Sequence, residues 1–450
     1  MSSPGSSRSV GLAIFSAAIA LQLIYAIFIY TIWGHTFLTA DAVTHTYIGR
    51  LLWQNIANIG GVWLPLFHIL VAPFTLSPFL YASGFAGVIV NSIASGLTSV
   101  LLYKMLPNRY GIILAAVFAS NILTLSFSTT PMQESTAILF AVWAIYYLAD
   151  YLRTERRGSF VKMAAVLTIG ELARYEIWLL AIVLVIIFSV REVRHNRPHS
   201  LGFIHLAFWG VFLWLVWEIA IFRDPLFFLA PSGFSSIPSS PLDGVIRVLR
   251  RADVQSEIVA LLLAFVALAA SLSSSKMRRV TLSLSVLVLY LVTMSSQIAL
   301  IPNGNFPSTT SQAFGYTIVS DSRMSFLKVA EIAHSSILIS TRTGLVRGDL
   351  LSALSPALSV VGGVDPSRIV DEFSALFRLA SAQPWSYVDY VVISKEGGLR
   401  GNTFAAEQKY YGGYFNYLYY SDQNWHRQFT LHFRLVLETS RFLLYQRVMQ

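Results

Sequence analysis

The sequence predicts a polytopic α-helical membrane protein with about nine transmembrane helices and interfacial helices in its first external loop, followed by an α/β domain. Hydrophobic residues make up 55% of the chain and charged residues only 12%, and the mean hydropathy is +0.60. These values lie far from those of an average soluble domain. Because the hydropathy falls from about Asn303 onward, we expect a transmembrane domain over residues 1–302 and a soluble extracytoplasmic α/β domain over residues 303–450.

Several segments approach the roughly 20 apolar residues that a membrane-spanning helix needs. The first, residues 10–31, is longer than the core of a signal peptide, so we interpret it as a retained anchor. The later segments are residues 81–105, 111–127, 136–152, 204–222, 258–272 and 282–301, with a shorter pair at 161–172 and 177–190. Residues 64–80 contain three prolines, which favour an interfacial or re-entrant segment over a straight span.

The basic residues of the short loops predict the orientation of the chain. They fall on one side of the predicted spans, which the positive-inside rule makes cytoplasmic. They are Arg8, Lys104, Arg109, Arg153, Arg156, Arg157, Lys162, Arg191, Arg194, Arg197, Lys276, Arg278 and Arg279. The opposite side receives Asp41, Glu134 and residues 174–176, so we expect an integral protein of the cell membrane or an ER-type membrane, with a cytoplasmic amino terminus.

The carboxyl-terminal domain alternates predicted strands and helices. Residues 336–340 and 390–394 favour buried strands. Pro366 is expected to open a helix that runs to about residue 382. Residues 429–437 and 441–448 are expected to form a closing hairpin.

Two features of the composition exclude classes of site and partner. The chain contains no Cys, which excludes a disulfide framework and a thiolate metal site. Much of the net charge of +9 lies in loops between spans, where basic residues set topology and contact anionic lipid headgroups. We therefore expect membrane lipids as partners and no nucleic acid.

Asp41 and His45 begin the candidate site. Ionisable groups beside hydrocarbon are functional candidates because they are costly there. Asp41 follows the first span, and His45 falls one helical turn later on the same face. The pair could hold a divalent cation such as Mg²⁺ or Mn²⁺, or orient and deprotonate a hydroxyl. The alternative is that Asp41 only complements the positive end of a helix dipole.

Trp63, His68 and Glu134 extend this candidate site. Trp63 and His68 lie on either side of Pro65 at the start of an apolar segment, which suits the lip of a membrane cavity. A tryptophan at this depth is also typical of an interfacial belt. Glu134 opens a predicted span just after Pro131, where an acid serves either a reaction or the helix dipole.

Arg174, Tyr175 and Glu176 are expected within the depth of the membrane, because residues 161–174 reach only about 21 Å of a roughly 30 Å core. Charged residues there are tolerated where they line a cavity or water, which favours the wall of a site. The alternative is that Arg174 and Glu176 only neutralise each other. A further basic cluster, which could clamp a phosphate ester or contact lipid headgroups, consists of Arg247, Arg250 and Arg251.

Taken in order, these motifs resemble those of the C-type glycosyltransferases of membranes. The motifs are Asp-x-x-x-His at 41–45, Trp-x-Pro-Leu-x-His at 63–68, Pro-x-x-Glu at 131–134, Arg-Tyr-Glu-x-Trp at 174–178 and Asp-Pro-Leu-Phe-Phe at 224–228. Within that superfamily the chain is most similar to mannosyltransferase-like enzymes that depend on dolichyl- or polyprenyl-phosphate sugars. The similarity runs over residues 10–301.

The resemblance implies an external active-site cavity with a polyprenyl-phosphate sugar as donor and a glycan, lipid or protein as acceptor. The catalytic carboxylates are then Asp41, as base or acceptor-binding group, and Glu134. Together with the candidates from position and charge, the expected substrate-binding residues are His45, Trp63, His68, Arg174, Tyr175, Glu176, Arg247, Arg250 and Arg251. Such a transfer needs a carboxylate that accepts the hydroxyl proton and a positive charge near the departing phosphate.

Two other functional classes fit the same charges. One is a transporter or flippase for a lipid-linked substrate, and the other is a non-catalytic subunit of a cell-envelope assembly. Transporters commonly contain two comparable halves, and the sequence has no such repeat. The carboxyl-terminal domain also lacks a Trp-Trp-Asp-Tyr-Gly-like sequence, which argues against transfer of a whole oligosaccharide to Asn. We therefore expect a single-sugar transferase that inverts the anomeric centre.

Overall fold

The structure is a computed structural model, and it describes residues 4–37, 40–54, 63–195, 198–226, 252–272, 325–339, 354–371, 374–395, 415–439 and 442–448. The described residues up to 272 are almost entirely helical. Two 3-10 helices, Ala72–Leu76 and Pro198–Phe208, interrupt the α-helices. These are α1 (Pro4–Trp33), α2 (Ala40–Leu51), α3 (Leu66–Val71), α4 (Pro78–Ser83), α5 (Phe85–Met105), α6 (Arg109–Ser120), α7 (Ile122–Ser128), α8 (Glu134–Thr154), α9 (Arg157–Gly170), α10 (Glu176–Arg194), α11 (Trp209–Phe222) and α12 (Ala252–Leu272).

Four of the described helical segments are long and apolar enough to cross a membrane. They are Arg8–Thr31, Phe85–Met105, Glu134–Thr154 and Ile204–Ile221, the last of which joins the end of the second 3-10 helix to α11. The apolar segments Leu66–Leu76 and Ile258–Leu272 are shorter. The predicted span at 282–301 lies outside the described residues, so the total of about nine spans stays a prediction.

The predicted span over residues 111–127 is bent. The segment is a pair of helices, α6 and α7, that meet at an angle of 60°. Asn121 causes the break, because its backbone is extended and its side chain accepts a hydrogen bond from the N–H of Leu123. An Asn in this role begins a new helix and does not continue the old one. Counted as one span, the bent pair brings the number to five among the described residues.

The three prolines of segment 64–80 argued against a straight span, and the segment does not form one continuous helix. It forms α3, the first 3-10 helix and the start of α4. Ser77 begins α4 by accepting a hydrogen bond from the N–H of Leu80, and Gly84 ends it with a φ of 84°. Because that φ lies in the left-handed region, a glycine is favoured there.

The described residues after 324 form a five-stranded mixed sheet with the strand order β2-β1-β3-β5-β4. Parallel pairs join β1 to β2 and β3, and antiparallel pairs join β5 to β3 and β4. The strands are β1 (Ile337–Leu338), β2 (Ile369–Val370), β3 (Tyr390–Ser394), β4 (Phe433–Glu438) and β5 (Phe442–Arg447). The helices are α13 (residues 325–332), α14 (Leu354–Val360), α15 (Phe377–Ala382), α16 (Pro384–Tyr387), α17 (Phe415–Ser421) and α18 (Gln423–His432). The predicted α/β texture is present, and the predicted boundary at residue 303 lies outside the described residues.

One helix of this domain was predicted wrongly. The expected helix from Pro366 to residue 382 is a 3-10 turn, Pro366–Arg368, then β2, and only then the short α15. Asp365 does cap the turn, because it accepts a hydrogen bond from the N–H of Ser367. The β-branched pair Ile369–Val370 then pairs in parallel with β1, and this tertiary contact overrides the helical signal of the proline.

The sheet is covered on both faces. Side chains alternate along β3, so that Val392 packs with α13 and α14 while Val391 and Ile393 pack with α15, α17 and α18. The first of these two cores also contains residues of α2, α4 and α7. Helix α2 therefore lies between the membrane helices and the α/β unit, and this placement positions the site.

Candidate active site

Glu134 is placed in the first turn of α8 by a tight connection from α7. Asn91 of α5 holds this connection. The side-chain Nδ2 of Asn91 donates to the carbonyl oxygens of Thr130 and Met132 at 2.8 Å and to that of Phe127, near the end of α7, at 3.3 Å. Gly87 allows the close approach, since a Cβ at that position would lie 2.5 Å from Pro131. The connection packs directly onto α5, and Glu134 is completely buried.

Arg174 joins two carboxylates into an ionic cluster. Its Nη1 donates to Oε1 of Glu134 at 2.7 Å, and its Nη2 and Nε donate to the two carboxylate oxygens of Glu176 at 2.8 and 3.2 Å. The exposed fraction of the side chain is 13% for Arg174, 0% for Glu134 and 43% for Glu176. We call these three residues the Arg174 cluster. Glu176 is the partner of Arg174 that is open to solvent.

His45 and His68 form a buried pair next to this cluster. His45 lies on α2 and His68 on α3, neither of which is a membrane span, and Nδ1 of His45 is 2.8 Å from Nε2 of His68. Burial lowers the pKa of both imidazoles, that of His68 to about 3. The nearby charges of His68 and Arg174 lower the pKa of His45 further. The pair is therefore neutral near pH 7 and shares a single N–H between the two facing nitrogens.

Backbone contacts hold the segment that carries His68 against the Arg174 cluster. The N–H of Leu66 donates to the carbonyl oxygen of Leu172 at 2.9 Å. Nε2 of Gln133 donates to the carbonyl oxygen of Leu64 at 3.1 Å. The ring of Trp63, in the same segment, meets the ring of His45 edge to face with 5.2 Å between centroids. Three predicted residues from two separate parts of the chain, His45 on α2 and Trp63 with His68 in the later segment, thus come together.

Asp41 lies in the first turn of α2, one turn before His45, and is exposed. Residues four apart share a helix face, so this face of α2 carries a carboxylate at its exposed end and an imidazole at its buried end. In the part of the chain that the structure describes, no group of three or more His, Cys, Asp or Glu side chains could hold a metal ion. The predicted cation at Asp41 and His45 stays a prediction.

An apolar cleft opens beside the Arg174 cluster. It lies between α8, α10 and α12, and Glu176 contributes the charged part of its wall. The remaining wall is aliphatic and consists of Ala137, Ile138, Ala141, Val142, Ile177, Leu180, Ala260 and Leu261. A long hydrocarbon that entered this cleft would have its end at the charged side chains.

Tyr175 is the remaining predicted site residue that the structure describes. Tyr175 belongs to an aromatic cluster with Trp178 and Trp214, and its ring centroid lies 5.0 Å from that of Trp178. The contribution of Tyr175 is to pack the wall behind the Arg174 cluster. The predicted basic cluster of Arg247, Arg250 and Arg251 lies outside the described residues.

The sequence interpretation missed a buried carboxylate between two apolar helices. Glu171 directly follows α9 and is fully buried, and its Oε2 accepts a hydrogen bond from the N–H of Val211 in the first turn of α11. An acid at a helix N-terminus satisfies N–H groups that have no partner within the helix. The signal was present as an acidic residue within an otherwise apolar segment, and Glu218 on α11 is a second such case.

Comparisons with known proteins find similarity to one family over part of the chain. Residues 65–217 match the sequence profile of a family described as dolichyl-phosphate-mannose-protein mannosyltransferase. A search of curated proteins found no match. The crystal structure of ArnT from Cupriavidus metallidurans bound to undecaprenyl phosphate is similar over 98% of each chain, with 11% sequence identity and a TM-score of 0.47. The family match includes His68, Glu134 and the Arg174 triplet, and over residues 65–217 it confirms the predicted resemblance to C-type membrane glycosyltransferases.

Proposed function

We propose that this protein is a membrane glycosyltransferase that moves one sugar from a polyprenyl-phosphate donor to an acceptor hydroxyl on the extracytoplasmic face. The acceptor is a glycan, a lipid or a protein. The observation that carries the proposal is the Arg174 cluster, built within the residues that match the mannosyltransferase family and next to a neutral histidine pair.

Arg174 is the group that receives the donor phosphate. A planar guanidinium matches phosphate oxygens in geometry as well as charge. Glu134 is buried and holds one side of the guanidinium, whereas Glu176 is partly exposed and occupies the other side. The phosphate replaces Glu176 on Arg174. Glu134 was predicted as a catalytic carboxylate, and its burial against Arg174 supports a positioning role instead.

Asp41 accepts the proton of the acceptor hydroxyl. The acceptor oxygen forms a bond to the anomeric carbon of the sugar, the bond from that carbon to the phosphate oxygen breaks, and the polyprenyl phosphate leaves as an anion. The exposed end of α2 suits a group that meets an incoming acceptor. Positive charge placed where the phosphate charge develops lowers the barrier, which is the role of Arg174.

The lipid tail of the donor lies in the apolar cleft between α8, α10 and α12. Eight aliphatic residues line this cleft and Glu176 lies at its charged wall. A polyprenyl chain in the cleft therefore presents its phosphate to the guanidinium that Glu176 contacts. Because the bilayer is as apolar as the cleft, van der Waals packing against these side chains, and not removal from water, would hold such a chain there.

The test is sugar transfer by the purified full-length protein in defined lipid, with a panel of labelled polyprenyl-phosphate sugars. We expect the native protein to label an acceptor and Asp41→Asn to lose the activity, since this change removes the charge and keeps the shape. Asp224→Asn is the matched control, because Asp224 makes a local turn contact with the N–H of Leu226 that Asn also makes.

Three results would each contradict one part of the proposal. Transfer by Asp41→Asn at the native rate removes Asp41 from the reaction. Movement of the lipid-linked donor across the bilayer without transfer indicates a flippase. Loss of transfer in EDTA, with recovery in Mg²⁺ or Mn²⁺, assigns Asp41 and His45 to a cation, whereas we propose direct proton transfer because Nδ1 of His45 already contacts His68.

A further inference from the structure

Helix α2 carries a second functional face. Successive residues of an α-helix are about 100° apart, so Tyr47 points about 200° away from His45. Tyr47 is completely buried, and its hydroxyl donates a hydrogen bond to Oδ2 of Asp371 at 2.9 Å. Asp371 belongs to the α/β unit and directly follows β2. The helix that carries Asp41 and His45 is therefore bonded on its other side to the carboxyl-terminal unit.

Asp371 is the acceptor in this contact. Its side chain is buried, and the same Oδ2 accepts a second hydrogen bond from Oγ of Ser355 at 2.7 Å. A buried carboxylate is costly unless donors satisfy it, and hydrogen bonds to a charged acceptor are stronger than neutral ones. Ser355 supplies a donor from within the α/β unit, and Tyr47 supplies a donor from α2. Loss of the Tyr47 hydroxyl removes the donor that comes from the membrane domain.

A second contact of the same kind lies beside the first. The hydroxyl of Ser359 donates to the carbonyl oxygen of Val364 at 2.8 Å, so its 2.8 Å contact with Tyr81 of α4 is one in which Tyr81 donates. Apolar side chains of α2, among them Val43 and Leu51, fill the space between the two contacts in one core with α14. Apolar packing alone allows a helix to rotate or slide, whereas the Tyr47–Asp371 hydrogen bond restricts the rotation and axial position of α2. The Tyr81–Ser359 hydrogen bond holds the neighbouring α4 against the same α/β unit.

We propose that Tyr47 is a positioning residue for sugar transfer: through the Tyr47–Asp371 hydrogen bond the α/β unit fixes α2, and thereby the positions of Asp41 and His45. The catalytic consequence rests on the proposed function, whereas the fixing of α2 does not. A misplacement of a reacting group by about 1 Å can reduce a rate by roughly 100-fold, so a modest rotation of α2 is enough to affect transfer.

The test compares Tyr47→Phe with Ser355→Ala in the full chain in defined lipid. Both variants remove one hydroxyl from the same oxygen of Asp371, but only Tyr47→Phe cuts the link to α2. Hydrogen exchange of the α2 amides measures how often the helix opens locally, and it needs no substrate. We expect exchange about tenfold faster in Tyr47→Phe, the effect of losing a hydrogen bond to a charged group, and native exchange in α2 of Ser355→Ala. In transfer assays kcat of Tyr47→Phe falls at least about tenfold while KM for the lipid donor keeps its native value.

Native exchange of α2 in Tyr47→Phe overturns the proposal, and so does an equal effect of the two variants. Faster exchange with native kcat overturns it as well, because α2 then needs no fixing. If Tyr47→Phe does not fold, Asp371→Asn replaces it: the amide keeps an acceptor oxygen for Tyr47 but loses the charge, so the bond to α2 is weakened and exchange of α2 should rise by less than tenfold. Native exchange of α2 in Asp371→Asn then overturns the proposal. Absence of transfer by the native protein refutes the proposed function and leaves the exchange result to decide whether the α/β unit fixes α2.

Discussion

Arg174→Met removes the cation from a cluster in which Glu134 is completely buried. The carboxylate of Glu134 then stays in a low-dielectric environment without its partner at 2.7 Å. Breaking a buried ion pair in this way costs about 3–5 kcal/mol of folding free energy. Glu176 adds little to this figure, because 43% of its side chain is exposed and water replaces its contact.

A double-mutant cycle separates this electrostatic cost from a loss of packing. Glu134→Gln removes the stranded charge, so the combination of Glu134→Gln with Arg174→Met is expected to recover most of the lost stability. Unfolding by SDS in mixed micelles, followed by tryptophan fluorescence, measures each free energy. Arg109→Met is the matched control, since Arg109 is exposed and contacts Tyr110 beside it, and its expected effect is within about 0.5 kcal/mol.

Two results refute the reasoning. A cost below about 1 kcal/mol for Arg174→Met means that the pair contributes no more than an exposed one. A double variant as unstable as Arg174→Met means that the guanidinium stabilises the protein by packing and not by compensating Glu134. The double variant should in addition remain inactive, because a stable fold without Arg174 has no cation for the donor phosphate.

Two further predictions follow from the charges of the site. Glu176→Gln removes the partly exposed carboxylate that competes with the donor phosphate for Arg174. Because a partly exposed ion pair contributes about 0.2–1 kcal/mol, KM for the lipid donor should fall by up to about fivefold while kcat is unchanged. A rise in KM in transfer assays contradicts the replacement of Glu176 by phosphate on Arg174. Burial lowers the pKa of His68 from 6.5 to about 3, so below pH 6.5 the unfolded chain binds a proton that the folded chain excludes. Stability should therefore be complete above about pH 6.5 and fall as the pH drops towards 3, by up to ~1.4 kcal/mol per pH unit for each buried histidine. When the free energy of unfolding in SDS is plotted against pH over this range, the slope should be shallower for His68→Gln than for the native protein. An unchanged slope contradicts the burial of a neutral His68.

The long apolar helices were predictable because their signal is local. Helix α1 and helices α5 and α8 each contain a predominantly apolar segment of more than 20 residues, and a bilayer leaves such a segment few alternatives to a helix. Hydropathy did not predict the bend within residues 111–127, because an average over the window hides the single Asn121 that begins a new helix. The side-chain hydrogen bond of one polar residue decided the backbone direction there.

The site was predictable in its residue types and not in its pairings. The cost of charge near hydrocarbon made Asp41, Glu134 and Arg174 candidates from sequence, and the structure pairs Arg174 with Glu134. That His45 contacts His68, 23 positions away, depends on how α2 and α3 pack, and no spacing rule gives it. The Tyr47–Asp371 bond spans 324 positions and joins two domains, so only tertiary structure shows it.

In the α/β unit, β3 was predicted correctly because it is a short apolar run buried on both faces. Strand β2 was missed because only two residues define it and its partner lies about 30 positions earlier in the chain. The predicted hairpin is present as β4 and β5, but Phe429 belongs to the preceding helix α18, which Asp422 caps. Local chemistry favours turns and caps, and the choice between helix and strand in short segments is made by the neighbours.

The central claim is that the Arg174 cluster holds the phosphate of a polyprenyl-phosphate ligand. The most direct measurement is the affinity of polyprenyl phosphate, without a sugar, for the native protein and for the stable combination of Glu134→Gln with Arg174→Met. We expect saturable binding to the native protein and at least about tenfold weaker binding to the double variant, the effect of losing a charge-assisted hydrogen bond. Equal affinity of the two proteins would contradict the claim.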